Sequence, residues 1–416
     1  MPVTTLEFYR HYFPWDSFVG FLTRHGEDHL CKREFAIEGA YYKRYVVAND
    51  AQQLKEQVLK MPGLKSLHIG PVYNERVVRA SSNNFSFPIR REFVCDIDLD
   101  DYCYLDLKNS SGNLDLDACD AAWPVCSVGI FILQYLLKSA FGFSEFVVVY
   151  SGRRGVHLHV ADNAAMNLSD DARGAITDYL QFSFSEDKFR ANQSIRSVVV
   201  AQGLLDAVHH AFEKFFVDGM RIFETAEARV AFVERLGLSD QHLPAVSNLV
   251  EDVLDLDGLA MWDFVKTKVK SLPHEWMKNR LDEMVLFYVW PRIDAGVSRR
   301  LNHLLKAPFV VHPKTNRVAC PIDAADYFRF NPAKAPCLDT LLGNSAASFA
   351  NATVHWLRPC HVVQNKKKKN PKKTQAEDID MEDLAGASAS ASKTTSKLQK
   401  RKFLPKKSQL SKMHNV

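Results

Sequence analysis

The chain has 416 residues, 46% of them apolar and 25% charged, with a formal net charge of +4. These values match average globular usage, so the chain as a whole is neither fibrous nor disordered, and it is long enough for a large core and two structural units. No uninterrupted apolar run reaches the ~18 residues of a membrane span. MPVTTLEFYRHYFPW carries Arg, Glu and His where a signal peptide is apolar, so the protein is expected inside the cell with no membrane partner. Eight cysteines (31, 95, 103, 119, 126, 320, 337 and 360) are scattered without short loops between them, which argues against a disulfide framework.

The distribution of charge is more informative than its sum. From Asn365 to Val416 there are 14 Lys+Arg and 5 Asp+Glu; the whole chain has 53 and 49, so the preceding body keeps 39 and 44 and is slightly acidic. A protein that only coated nucleic acid would be basic throughout. Any nucleotide or nucleic-acid site must therefore be a local cluster. The tail alternates basic, acidic and Ala/Ser blocks and has too few large apolar residues to offset its ordering entropy, so disorder is expected over 363–416. Its KKKKNPKK run is either a solubilising segment or a nuclear-import signal; a nuclear protein is expected.

Along the body, TLEFYRHYFPWDSFVGFLTRH has helical periodicity broken at Pro14. REFAI (33–37), YYKRYVV (41–47) and SLHIG (66–70) read as strands, with a helix from Ala51 to Met61. REFVCDIDLD (91–100) resembles a buried strand, Ser127 to Ala140 a helix, and EFVVVYSG (145–152) with VHLHV (156–160) a hairpin-like pair around GRRG. From Asp162 to Glu283 the pattern is mainly helical. Strand character is expected again at EMVLFYVWPRID (283–294), then a short helix at SRRLNHLLK (298–306). The fold class is thus α+β: a mixed β-sheet flanked by helices, with a helical subdomain inserted at 186–280 between a first part (1–185) and a last part (281–362).

Three constellations carry chemistry. Asp96 and Asp98 lie two apart in an apolar strand, so both carboxylates face the same side, roughly 6–7 Å apart. Charges there are costly unless paired or bound to metal, and hard oxygen donors of this kind suit Mg²⁺. Asp294 ends a further apolar run, where a ligand or an ordinary cap would both fit. SGRRGVHLH (151–159) joins two glycines, which allow close backbone approach, to two guanidinium forks suited to phosphate; a solvated hairpin tip is the plainer alternative. Arg292, Arg299, Arg300, Lys306, His312 and Lys314 fall within one short segment and, with Arg153 and Arg154, would form the cationic cluster that the body otherwise lacks.

Taken in order, YRHYFPWDSFVGFL, CKREFAI, IGPVY, FVCDIDLDDY, FGFSEFVVVYSGRRGVH, WPRID and LNHLLKAPFVVHPKTNRVACPID resemble the small, catalytic subunit of archaeo-eukaryotic DNA primases. The resemblance implies a mixed sheet with a helical insertion and synthesis of RNA primers on single-stranded DNA from ribonucleoside triphosphates. It implies Asp96, Asp98 and Asp294 as ligands of two Mg²⁺ or Mn²⁺ ions. It also implies Ser151, Arg153, Arg154 and His157 as triphosphate contacts, Lys306 and His312 near the incoming nucleotide, and Arg292 and Glu34 as outer site residues. The expected partners are a large primase subunit with an iron–sulfur cluster and the catalytic subunit of DNA polymerase α within the primosome. No cysteine set in this chain suits such a cluster. The family's four-cysteine zinc knuckle is incomplete here: Cys103, Cys119 and Cys126 remain, with Trp123 where a C-x-x-C partner would stand. Structural zinc needs four ligands, so its loss is expected, although Asp117 or Asp120 could in principle supply a fourth. A repair primase-polymerase that accepts deoxynucleotides, a non-catalytic scaffold with the same fold, and a generic nucleic-acid-binding protein are the competing readings.

Overall fold

The computed structural model describes residues 3–26, 29–76, 86–181, 201–238, 248–323 and 326–341. The expected disordered tail lies outside them. Helices α1 (Thr5–His11), α2 (Trp15–Thr23) and α3 (His29–Lys32) lead into β1 (Arg33–Glu38) and β2 (Tyr42–Val46), followed by α4 (Ala51–Leu59), β3 (Ser66–Tyr73), β4 (Pro88–Arg90) and β5 (Phe93–Asp98). Then come α5 (Leu116–Ala121), α6 (Trp123–Phe141), β6 (Phe146–Tyr150), β7 (Gly155–Val160), α7 (Asn163–Met166) and α8 (Asp170–Leu180). The chain continues with α9 (Gln202–Ala211), a π-helical stretch (Phe212–Gly219), α10 (Ala226–Leu236), α11 (Leu249–Asp252), α12 (Gly258–Lys270), α13 (Glu275–Val289), α14 (Ala295–Arg299), β8 (Leu305–Lys306) and β9 (Pro321–Ile322). Pro14 does end one helix and start the next: it is the residue capping α2, where its missing N–H costs nothing.

The described residues form two compact units. The first contains residues up to Asp98, 136–179 and those from Ile293 onward; the second contains 99–135 and 180–292.

In the first unit there are two sheets, one in the order β2-β1-β3-β4 with β8 added to β3, the other in the order β5-β7-β6-β9. Among the described residues every strand pairing is antiparallel. The expected single mixed sheet is therefore corrected to two antiparallel ones within the α+β class. The cause is local. The short Ser151–Arg154 turn can join β6 to β7 only as antiparallel neighbours. That places β7 between β5 and β6, so these two strands run the same way without pairing. Phe35, Ile37, Leu67 and Ile69 of the first sheet share one core with Val147 and Val149 of the second and with Phe8, Phe13, Phe18 and Phe309.

Beneath that core lies a buried ionic knot. The carboxylate of Glu92 receives both guanidinium nitrogens of Arg33, each at 3.1 Å, and lies 3.6 Å from Arg24. Arg173 donates to the carbonyls of Leu168 (3.0 Å), Glu92 (3.1 Å) and Ala165 (3.2 Å), and Arg91 donates to those of Val297 (3.1 Å) and Arg300 (3.0 Å). Burial alone would raise the Glu92 carboxyl, but Arg33 and Arg24 outweigh it and hold it far below the carboxylate range. Next to this knot His159 is fully buried, and neither of its ring nitrogens has a partner among the described residues. Burial, aided by His157, lowers its pKa to about 3, so the ring is neutral.

The second unit is built on packed aromatic rings. Phe212 lies 5.0 Å from Trp262 and 5.6 Å from Tyr288, and Phe223 4.9 Å from Phe232. Tyr288 belongs to α13, so the strand expected over 283–294 is instead the second half of a helix that continues to Val289. Every residue from Glu283 to Val289 is buried. A run that is apolar on all sides has no periodicity to tell a buried helix from a buried strand; Pro291 then forces the preceding Trp290 into an extended conformation and ends the helix. SRRLNHLLK is also corrected: only Ser298 and Arg299 are helical, and Leu305–Lys306 form β8. The stretch Leu116–Phe141 is long and apolar enough to cross a membrane by composition, but 67% of its apolar window is buried in protein, which marks a core helix.

Glu92→Ala would strand Arg33 and Arg24 in the interior; a loss of about 3–5 kcal/mol is expected, read from urea unfolding. His159 has its folded pKa below the unfolded value, so its contribution is present above about pH 6.5 and is lost as the pH falls towards 3. The fall in unfolding midpoint between pH 7 and pH 5 should therefore be shallower in His159→Phe than in the parent.

Candidate active site

β5 presents its even-numbered side chains to one face and its odd-numbered ones to another. Phe93, Cys95 and Ile97 are wholly buried, whereas Asp96 and Asp98 are partly open. On their face Val94 packs with Val297 and Leu305, which seats the chain of α14 and β8 against β5. Asp294 arrives by the same route. Its N–H donates to the Asp96 carbonyl at 3.0 Å, and Ile293 forms a bridge to Ile97. The third carboxylate is thus stitched by backbone to the strand that bears the first two.

Each carboxylate has a distinct partner. Asp96 Oδ1 lies 3.6 Å from Nε2 of His157, which stands opposite it on β7. Asp98 accepts from Nε of Arg154 at 2.8 and 3.1 Å through its two oxygens. Asp294 Oδ1 accepts the N–H of Gly296 at 2.7 Å and caps α14. Burial raises the pKa of Asp96; Asp98 and Asp294 add to this, while His157 and His303 oppose it. Three carboxylates around one half-buried strand form a place that favours a cation. Among the described residues, however, no three His, Cys, Asp or Glu side chains are gathered as a ready metal-ligand set, since Asp98 and Asp294 point to Arg154 and Gly296.

The β6–β7 turn is shaped by Gly152 and Gly155. Ser151 closes it from both sides: its N–H donates to the Gly155 carbonyl and its Oγ accepts the Gly155 N–H, each at 3.0 Å. Gly152 has φ +84°, and a Cβ there would come within 2.9 Å of His312 Cβ. A second loop, His312–Arg317, packs on this turn; Thr315 Oγ1 donates to the Gly152 carbonyl at 2.6 Å, and Arg317 reaches Tyr150 Oη at 3.1 Å. The two loops gather the cations. Burial lowers the pKa of His312 to about 3, helped by Lys306, Arg153, Lys314 and Arg154 in that order. Burial also lowers Lys306, and Arg153 and Lys314 push it further down, against Glu38 and Asp96. A neutral His312 has one donor nitrogen. Its Nδ1 faces the Lys314 N–H at 3.3 Å and so acts as acceptor, which leaves Nε2 to carry the proton.

Of the residues expected from sequence, the structure brings together Asp96, Asp98, Asp294, Arg153, Arg154, His157, Lys306 and His312, with Ser151 bracing the turn. Glu34 is on β1, fully buried, where Arg44 (2.8 and 3.2 Å) and Tyr73 (2.9 Å) hold its carboxylate. Arg292 lies in the second unit, stacked over Tyr102 at 4.9 Å and Phe287 at 5.2 Å. Cys103 is exposed, and Cys119 and Cys126 are buried. His303 is an addition. Burial lowers its pKa, with Arg91 helping, while Asp294 and Asp96 oppose, so it lies within electrostatic reach of both carboxylates. Its segment, LNHLLK, was part of the recognised pattern, but a helix expected there hid which side chain would turn inward.

A sheet edge carrying three carboxylates beside a cationic double loop is an arrangement suited to phosphoryl groups and divalent ions. The model of the DNA primase small subunit matches residues 96–324, a span that contains nearly all of this site. The chain is 30% identical over 368 residues to the DNA primase small subunit of Schizosaccharomyces pombe, covering 85% of this chain and 80% of that protein. It is 28% identical over 358 residues to the one from Drosophila melanogaster, covering 80% of each, and 29% identical over 365 residues to that of Caenorhabditis elegans, covering 82% and 87%. The chain belongs to the DNA primase small subunit family.

Gly155→Ala tests the register on which the carboxylates depend. The new Cβ would lie 2.4 Å from the Ile97 carbonyl oxygen, a backbone atom that cannot step aside. A loss of about 1–3 kcal/mol is expected, measured by thermal or denaturant unfolding.

Proposed function

We propose that this chain is the catalytic small subunit of a DNA primase, starting short RNA primers de novo on single-stranded DNA from ribonucleoside triphosphates during replication. The observation that carries this reading is the backbone stitch between Asp294 and Asp96, which holds three carboxylates beside the cationic loops of 151–155 and 312–317. Asp96, Asp98 and Asp294 would hold two Mg²⁺ or Mn²⁺ ions. Their hard oxygens fit such ions, and burial, with the neighbouring charges of Asp98 and Asp294, raises the pKa of Asp96. When bound, the ions supply charge neutralisation at the attacking and leaving oxygens.

The chain's own residues do the rest. Arg153, Arg154, Lys306 and Lys314 receive the triphosphate, the two arginines as bidentate forks. Neutral His312 donates from Nε2 without adding to the charge that Lys306 already bears. His157 keeps Asp96 oriented. The glycines of the turn let the backbone come close to the phosphates. The 3′-hydroxyl of one nucleotide attacks the α-phosphate of the next and pyrophosphate leaves. No side chain serves as nucleophile, so positioning and electrostatic stabilisation supply the rate.

In this reading the chain works with a large, iron–sulfur subunit and the catalytic subunit of DNA polymerase α in the primosome, and the basic block after Asn365 directs it to the nucleus. The proposal includes no zinc ion, because Cys103, Cys119 and Cys126 fall one ligand short of a structural site.

The test is primer synthesis on oligo-pyrimidine single strands with ribo- or deoxynucleotides, with and without Mg²⁺ or Mn²⁺. Asp96→Ala, Asp98→Ala and Asp294→Ala should each abolish it while circular dichroism and unfolding midpoints stay close to the parent. Robust synthesis by folded Asp98→Ala protein would refute the metal assignment, and a preference for deoxynucleotides would favour a repair primase-polymerase.

A further inference from the structure

We infer that the Arg154–Asp98 ion pair is an exchange device that makes metal and triphosphate bind together. The inference rests on the reading above. Asp98 and Arg154 are the two groups that the chemistry assigns to opposite ligands, the carboxylate to a divalent ion and the guanidinium to phosphate. In this structure they hold each other, with Nε of Arg154 at 2.8 Å from Oδ1 and 3.1 Å from Oδ2 of Asp98. Arg154 therefore occupies the carboxylate as a surrogate cation, and Asp98 occupies the guanidinium as a surrogate phosphate.

The pairing is built into the fold. Gly155, the residue after Arg154, is the register partner of Asp98 across β5 and β7, and Ser151 locks the turn that precedes it. The backbone keeps the two residues adjacent, while their side chains can turn to other partners. These side chains are 22% and 41% exposed, so water and ligands reach them and exchange is open.

A divalent ion arriving alone must displace Arg154 and leave a guanidinium without its carboxylate, among the cations Arg153, Lys306 and Lys314 that act with it on His312. A triphosphate arriving without metal must displace Asp98 and leave a carboxylate exposed to Asp96. When both arrive, each ligand takes the partner that the other has released. Linkage then requires that each ligand strengthen the other by the same factor. A partly exposed pair of this kind accounts for roughly two- to fivefold of that factor. The device would keep metal from settling in the site without nucleotide.

The experiment uses the full chain, and its readouts are binding. Mn²⁺ affinity is measured by electron paramagnetic resonance without nucleotide, and binding of a fluorescent ribonucleoside triphosphate is measured by anisotropy in EDTA. Arg154→Ala should bind Mn²⁺ about two- to fivefold more tightly than the parent. Arg153→Ala is the control, since it removes the same charge from the same turn and no described contact joins Arg153 to Asp98. Equal tightening in both variants would mean simple charge repulsion and would overturn the inference. In EDTA, Asp98→Asn should tighten triphosphate binding by a similar factor, and Asp96→Asn by less; no difference between these two would also overturn it. Failure of the underlying reading has a separate signature. If Asp98→Asn binds Mn²⁺ as the parent does, Asp98 is no ligand, whatever Arg154 does.

Discussion

The carboxylate of Glu92 is the constraint around which the first unit is arranged. It is the residue just before the strand that carries Asp96 and Asp98, and its charge is buried between Arg33 on β1 and Arg24 just after α2. Burying an ion pair gives little net stability compared with an apolar substitute. What it gives here is uniqueness. A guanidinium fork and a carboxylate satisfy each other in one relative position, so β1 of one sheet and the start of β5 in the other are fixed to within a hydrogen bond. The surplus positive charge of Arg91 and Arg173 is absorbed by backbone carbonyls rather than by acids, which ties α14 and α8 to the same point.

From that anchor the site follows by register. Because the residues of β5 alternate, fixing Glu92 fixes which face receives Asp96 and Asp98. Because β7 pairs with β5 residue for residue, the same act fixes His157 opposite Asp96 and Gly155 opposite Asp98. The backbone bridge of Ile293 to Ile97 adds the third carboxylate, although nearly 200 residues of chain separate them. The cations come from a different device, two loops packed through Gly152 and Thr315. The β6–β7 turn belongs to both devices, since β7 sets it against β5, and acidic strand and basic loops meet where Arg154 reaches Asp98. Short-range attraction at that meeting point is stronger than the weak net charge of the body, so a slightly acidic protein can still gather a local cationic surface.

Much of the first unit was legible in the sequence because its signals are local. Pro14, the alternation of β5, the apolar run before Ser151 and the Gly-Arg-Arg-Gly turn each act over a few residues, and each forms the element expected. The failures are equally specific. Residues 284–289 are apolar all round, so their periodicity could not show the helix that packs Tyr288 against Phe212 and Phe232. The SRRLNHLLK segment has helical spacing, but the pairing of Lys306 with His68 on β3 takes its last residues into a sheet. Glu34 and Arg292 show the same limit among site residues: their types suggested chemistry, while their surroundings decided what each faces.

By itself, the sequence determined the α+β class, the two same-face carboxylates, the phosphate-suited turn and membership in a family of small primase subunits, because periodicity, turn chemistry and motif order are properties of the chain read along its length. Only the tertiary structure decided that two antiparallel sheets replace one mixed sheet, that Asp294 is joined to Asp96, that His312 is a neutral donor, and that Asp98 is already paired with Arg154. Strand order, burial and the fields of distant charges depend on which segments pack together, and no window along the chain contains that information.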